Sequence, residues 1–154
     1  MQTQSKEQAP INWPAVIMFA VTTPVAVIIA PWYGFSVGFS LAAVVAFFAL
    51  TSLTELAITA GYHRMWSHNT YKAHWSLRLF FALFGAMALQ NTILDWCSGH
   101  RTHHRHVDDV EKDPYSAKKG LWFSHMGWML RNYESGKANF DNVKNIQTDP
   151  IVMW

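Results

Sequence analysis

Apolar residues run almost without interruption from Pro14 to Thr54, and beyond Glu55 the chain changes to short alternations of aromatic and polar positions. The apolar stretch divides in two. Pro14 to Ala30 is apolar apart from two threonines and Pro24. At about 1.5 Å rise per residue it reaches roughly 26 Å, close to a hydrocarbon core of about 30 Å. Trp13 precedes it and Trp32-Tyr33 follow it, where an aromatic belt would lie. A second span is expected from about Phe35 through Thr54. Only Pro31-Trp-Tyr-Gly34 separates the two, which predicts an antiparallel helical hairpin with its turn at those residues. Pro24 would break a soluble helix, but in a membrane bundle neighbouring groups can satisfy the carbonyl it frees. A third apolar stretch, Leu77 to Leu94, has an unbroken core of only about 11 residues, which predicts an interfacial or dipping helix and not a span. The expected organisation is a tail over residues 1–13, a transmembrane hairpin over 14–54 and a histidine-rich region over 55–154, an all-α membrane protein.

Charge sharpens this division. No Asp, Glu, Lys or Arg occurs between Glu7 and Glu55, whereas 11 of the 12 Lys and Arg residues follow Glu55. The positive-inside rule then places both ends of the hairpin in the cytoplasm of a multi-pass membrane protein. Lys6 is cancelled by Glu7 and a second span follows at once, so the first span reads as retained and not as a cleaved secretory signal. A composition of 51% hydrophobic and 14% charged residues fits a lipid-bilayer partner. The net charge of +2, with bases interspersed among acids, excludes nucleic acid as a partner. Cys97 is the sole cysteine, so no internal disulfide forms.

The candidate chemistry lies in two histidine clusters, His63-Arg-Met-Trp-Ser-His68 and His100-Arg-Thr-His103-His104. Imidazoles are neutral nitrogen ligands suited to zinc, copper, iron or nickel. On a helix, positions 0, +3 and +4 share an arc of about 100°, so His100, His103 and His104 are expected to project together. His63 and His68, five apart, diverge by about 140° on an ideal helix and need a helix end or a kink to converge. If the Leu77–Leu94 helix does not cross, both clusters face the same side and can share a site. His74, His106 and His125 read as neighbours of the site or as interfacial residues. Cys97 shares the face of His100 but reads as a small buried residue. Asp108, Asp109, Glu111 and Asp113 read as a solvated loop ending at Pro114. Glu55 either contacts a substrate channel or snorkels to the interface.

The HxxxxH and HxxHH boxes resemble those of the membrane fatty-acyl desaturases, and the surrounding wording is similar to the delta-9 acyl-CoA branch. The similarity runs from about Thr59 to His125 through Ala60-Gly-Tyr-His63-Arg-Met-Trp-Ser-His68, Leu89-Gln90-Asn91, Trp96, His100-Arg-Thr-His-His104 and Lys118-Lys119-Gly-Leu-Trp-Phe-Ser-His125. The resemblance implies a four-span fold with a cytosolic histidine-rich cap, two iron ions, and dioxygen-dependent insertion of a cis double bond into an acyl chain. It implies His63, His68, His100, His103 and His104 as metal ligands, Gln90 and Trp96 along the acyl tunnel, and Asn91, Lys118 and Lys119 at the head group. It further implies a long-chain acyl-CoA or acyl-lipid substrate and an electron-transfer protein of the ferredoxin or cytochrome b5 type. The family's third box, of HxxHH form beyond two further spans, is not in these 154 residues, so the chain reads as the N-terminal half of such an enzyme, inactive alone. Ser98-Gly99 stands where animal members carry an Arg-Asp pair, which leaves CoA, acyl-carrier protein and glycerolipid head groups open. A histidine-box hydroxylase or alkane oxygenase would use the same metal chemistry, and a non-catalytic membrane metal-binding module is the reading from outside enzymology.

Overall fold

The computed structural model describes residues 8–154, so most of the expected N-terminal tail lies outside the described residues. Helix α1 (Trp13–Ser36) places Pro14 in its first turn, where the missing N–H has no partner to lose. It also continues through Pro31. A proline inside a helix cannot donate and its ring meets the carbonyl four residues back. The chain accommodates this by widening to an i→i+5 pattern over Val25–Ile29, with the Ala30 N–H reaching the Val25 carbonyl. The expected turn at Pro31–Gly34 is therefore helical, and the break falls at Val37–Ser40. Gly38 adopts φ 87° there, and the Ser40 hydroxyl accepts the Ala43 N–H at 3.2 Å to cap the next helix. Gly34 serves packing instead: the Phe39 ring folds back over it, into space a Cβ would occupy.

Helix α2 (Leu41–Ser67) is longer than expected, so the division between residues 54 and 55 falls inside it and His63 rides on the same helix as the apolar stretch. Both α1 and α2 are long and apolar enough to cross a membrane, and their apolar side chains, Phe35, Leu41 and Phe47 among them, are exposed in the isolated chain. Helix α3 (Trp75–Met87), at 13 residues or about 20 Å, is too short to cross. It stops at Met87, not Leu94, because Leu89 and Asn91 adopt left-handed backbone with φ 56° and 71°. Helix α4 (Ile93–Arg105) then starts afresh, capped by the Thr92 hydroxyl accepting the Asp95 N–H. The remainder is a short helix α5 (Leu121–His125) and 3-10 turns, the longest at Phe140–Ile146. Among the described residues there is no strand, only one antiparallel bridge between Ile11 and Arg131.

The core sits where the end of α2 meets α3 and α4, and consists of Tyr62, Met65, Trp66, Phe81, Ile93 and Cys97, closed by Val143 and Ile146. Two glycines allow the close crossing of α2 and α3. A Cβ at Gly61 would lie 2.6 Å from the Phe81 Cβ, and one at Gly85 would sit in the Tyr62 ring, so each helix receives an aromatic side chain from the other. The start of α1 is tied to the same region, because Asn12 donates to Leu130 and Met129 carbonyls at 3.0 Å and Asn132 donates to Pro10. Both ends of the two-helix unit are thus anchored in the polar part of the chain.

Replacing Gly85 by alanine is expected to cost about 1–3 kcal/mol through overpacking against Tyr62. Gly99→Ala, also within a helix but facing open space, is expected to be neutral or stabilising by up to about 1 kcal/mol. Thermal unfolding of the two variants in detergent micelles separates these outcomes.

Candidate metal centre

Box one converges because its helix changes pitch. Over Ala57–Ser67 the hydrogen bonds of α2 run i→i+5, and the His68 N–H reaches the His63 carbonyl at 3.1 Å. Residues five apart then stack on one side of the helix where α-helical geometry would splay them, and the His63 and His68 rings lie 4.7 Å apart. Box two uses ordinary α-helical spacing: His100 and His104, one turn apart on α4, have ring centroids 4.5 Å apart. The two pairs face each other. One ring nitrogen from each of His63, His68, His100 and His104 falls within 4.8 Å of all the others, and His68 Nε2 is 3.0 Å from His100 Nε2.

Four imidazole nitrogens aimed at one point fit a metal ion. Ligand nitrogens about 2.1 Å from an ion can be at most about 4.2 Å apart, so side-chain adjustments of a few tenths of an ångström suffice. Electrostatics agrees, since four protonated rings could not share this space. Burial, followed by the neighbouring His104, His63, His68 and His103, pushes His100 down to about 3. His68 is also lowered, by burial and then by His63, His104 and Arg101. Neutral rings offer lone pairs without having to release protons.

Arg101, between the histidines of box two, locks the two boxes together. Its guanidinium donates to the carbonyls of Trp66 and Ser67 at 2.8 Å each, which are orphan groups at the end of α2. It also donates to the Asn142 carbonyl and the Asn145 side chain at 2.6 Å, joining the 3-10 segment to both helices. Asp149 makes a second tie by accepting from Trp66 Nε1 and the Arg78 guanidinium.

His103 does not join the other four. It is directed to Asp113, whose Oδ1 lies 2.8 Å from His103 Nδ1, and the Tyr115 ring packs on it at 4.4 Å. Asp113 corrects the expectation of a solvated acidic loop, because it is fully buried. Burial alone would raise its carboxyl, but bonds from His103 and from the N–H groups of Asp108 and Tyr115 outweigh it and hold the carboxyl below the ordinary range. The Asp-Pro pair signals only a loop, and the one available signal for Asp113 is its position nine residues past the last box histidine.

The remaining candidates separate into near and far. Trp96 stacks on His100 at 4.8 Å and donates from Nε1 to Gln90 Oε1 at 3.1 Å. Gln90 in turn lines a cavity of about 240 Å³ with Glu55, Ile58 and Thr59. Asn91 is exposed on the turn between α3 and α4, where its left-handed backbone is its visible contribution. Lys118 is exposed on a 3-10 turn, and Lys119 lies over the Phe123 ring at 4.6 Å. Ser98 is buried and its hydroxyl accepts the Asn139 N–H at 2.8 Å, so that side chain is turned into the protein. Cys97 is buried as expected, and burial pushes its thiol up to about 12, which makes it a poor ligand.

Two outcomes follow from this geometry. Arg101→Lys keeps the charge but cannot reach four acceptors in a fork, and is expected to lower stability by about 2–4 kcal/mol in thermal unfolding. In the metal-free chain, unfolding exposes a His100 that takes a proton near pH 6.5, whereas the folded ring takes one only near pH 3. The unfolded state therefore binds more protons between those values, and stability is expected to fall as pH drops from about 6.5 toward 3. His100→Gln should flatten part of that slope, as read by melting temperature at pH 7.5 and pH 5.

Residues 39–150 match the fatty acid desaturase family. The chain is 56% identical over 75 residues to acyl-CoA desaturase 1 of Saccharomyces cerevisiae, an alignment covering 49% of this chain and 14% of the yeast protein. It is 41% identical over 105 residues to stearoyl-CoA desaturase 5 of Bos taurus, covering 66% of this chain and 31% of that protein. With the Delta(9)-fatty-acid desaturase fat-5 of Caenorhabditis elegans it shares 37% identity over 113 residues, covering 70% of this chain and 33% of the relative. The chain thus spans a third or less of the length of these relatives. Since the matched region takes in both histidine pairs, the turn that carries Gln90 and the buried Asp113, the chain belongs to the fatty acid desaturase family.

Proposed function

We propose that this chain is part of a membrane acyl-CoA desaturase that inserts a cis double bond, at the delta-9 position, into a long-chain acyl group. The observation that carries this reading is the convergence of four imidazole nitrogens at the end of an apolar helix, in a chain of this family. His63, His68, His100 and His104 would hold iron, with His103 beside them. A pair of iron ions supplies, when bound, the oxidising power drawn from dioxygen and two electrons that an unactivated methylene demands. Zinc, which has no redox chemistry, could not replace it.

The protein's own groups would then act on the acyl chain by position. Trp96, fixed between His100 and Gln90, forms a rigid wall next to the histidines, and Gln90 connects that wall to the cavity at Glu55 and Thr59. A methylene chain laid along this wall would be held with one segment near the metal ligands, which restrains the geometry of hydrogen removal. Lys118 offers a free cation to the phosphates of an acyl-CoA head group, while Lys119, lying over Phe123, would contribute less. The names of the relatives favour CoA over lipid as the acyl carrier. The two apolar helices would cross the bilayer as a hairpin of a four-span fold with the histidines on the cytoplasmic side, where an electron-transfer protein of the ferredoxin or cytochrome b5 type could reach them.

The test is expression of the complete protein carrying this segment in a desaturase-null host, with fatty acids analysed by mass spectrometry. A cis-monounsaturated product is expected, and His104→Ala should reduce it at least about 100-fold together with bound iron. A hydroxylated acyl chain would assign the oxygenase chemistry instead. Normal turnover in the His104 variant would refute the ligand assignment.

A further inference from the structure

One apolar patch lies outside both long helices. On α5 the outer side chains are Leu121, 76% exposed, and Trp122, 68% exposed, with the exposed His125 one turn on from Leu121. The inner face of the same helix is already engaged, because the Phe123 ring meets Tyr133 at 5.2 Å. Two large apolar side chains therefore stand open on a helix that is fixed from behind. Cations border them. Lys118 is exposed, and Gly120, at φ 95°, turns the chain from the two lysines into α5. Lys119 lies over the Phe123 and Tyr133 rings at 4.6 and 5.7 Å, which holds its charge at the rim of the patch.

Backbone bonds set where this patch sits. The residues just ahead of α1 pair with 129–132, since the Asn12 N–H reaches the Leu130 carbonyl at 3.0 Å and the Asn132 N–H reaches the Pro10 carbonyl at 2.8 Å. Segments paired in this way run about 4.8 Å apart. Tyr133, and Phe123 resting on it, thus stand close to the point where the first apolar helix begins at Trp13. The headgroup layer on each side of a hydrocarbon core is roughly 6 Å deep. With α1 across the bilayer, α5 lies at that layer and not out in the cytoplasm. Tryptophan and leucine gain there by entering the boundary of headgroups and acyl chains, while a lysine extends its stem and keeps its ammonium among phosphates.

We propose that Lys118–Trp122 is a membrane-surface anchor, with Leu121 and Trp122 inserted into the headgroup layer of an anionic leaflet and Lys118 among the lipid phosphates. A CoA phosphate then reaches Lys118 only in competition with lipid. The proposal rests on the membrane-spanning part of the desaturase reading and does not involve the histidines. A patch that is merely covered by the rest of the protein predicts neither contact with lipid nor a response to lipid charge.

The test uses the complete protein carrying this segment, in nanodiscs of phosphatidylcholine with or without phosphatidylserine. A nitroxide is attached at Leu121→Cys or, separately, at Trp122→Cys, with the exposed Glu111→Cys as reference, in a background without other reactive cysteines. Both patch side chains are exposed, so neither variant removes a core contact. Labels at 121 and 122 are expected to collide more with oxygen, which concentrates in lipid, than with a water-soluble nickel chelate, and the label at 111 to do the reverse. Phosphatidylserine should increase the bias at 121, and Lys118→Glu should abolish that increase. Dominance of the nickel chelate at both patch positions overturns the proposal and marks a surface open to a soluble partner. Few collisions with either reagent also overturn it, by showing the patch covered with protein, and so does a bias indifferent to phosphatidylserine. Fatty-acid products of the unlabelled protein report the desaturase reading separately: water-facing labels with normal products sink the anchor alone, and lipid-facing labels without products sink only that reading.

Discussion

The Arg101 guanidinium is the contact on which the site depends. Helix α2 ends with unpaired carbonyls at Trp66 and Ser67, one residue before the second histidine of its box, and these groups need donors. Arg101 supplies them from the middle of the other box. The same cation that closes one helix thereby sets its distance from the second, and a third element is drawn in through Asn142 and Asn145. Arginine suits this task because one rigid planar group carries five donors. Gathering four imidazoles has its own cost, visible in the depressed His100, and something outside the histidines must hold the two helices together against it.

Packing repeats this logic at the apolar end. Gly61 and Gly85 let α2 and α3 approach until Phe81 and Tyr62 exchange places across the contact, and Tyr62 then lies against both Trp66 and Trp96. Trp96 carries the chain of contacts to His100. The site is thus continuous with the core, and a volume change at Gly85 reaches the histidines through two aromatic rings in contact, Tyr62 and Trp96.

Much of this is legible in the sequence, and the misplaced helix ends share a cause. The apolar runs, the absence of charge before Glu55 and the 0, +4 spacing of His100 and His104 are read directly from residue order, and the two long helices and half of the cluster follow. Residue order does not show where the backbone leaves α geometry. Pro31 and Gly34 looked like a turn because proline breaks an α-helix, yet a widened turn absorbed it. Leu89 lies in a left-handed conformation that no propensity assigns to leucine. His63 and His68 converge through a change of pitch that periodicity at 3.6 residues cannot show. Asp113 was hidden for another reason: an acid in a run of acids reads as solvated, and its burial follows only from where His103 and the surrounding loop are placed.

The pairing of Ala9–Asn12 with Met129–Asn132 bears on how such a protein is made. The partners are separated by 117 residues in the case of Asn12 and Met129, so the start of α1 emerges from the ribosome long before its anchor exists. A contact of this sequence separation closes late and slowly. During that interval α1 can settle in lipid on its hydropathy alone, and the polar residues ahead of it stay free. Its final depth and tilt would be set only once Leu130 and Arg131 arrive. Nascent-chain factors, or a fusion partner joined just ahead of Pro10, would therefore act on an early intermediate whose N-terminal docking strip is still exposed.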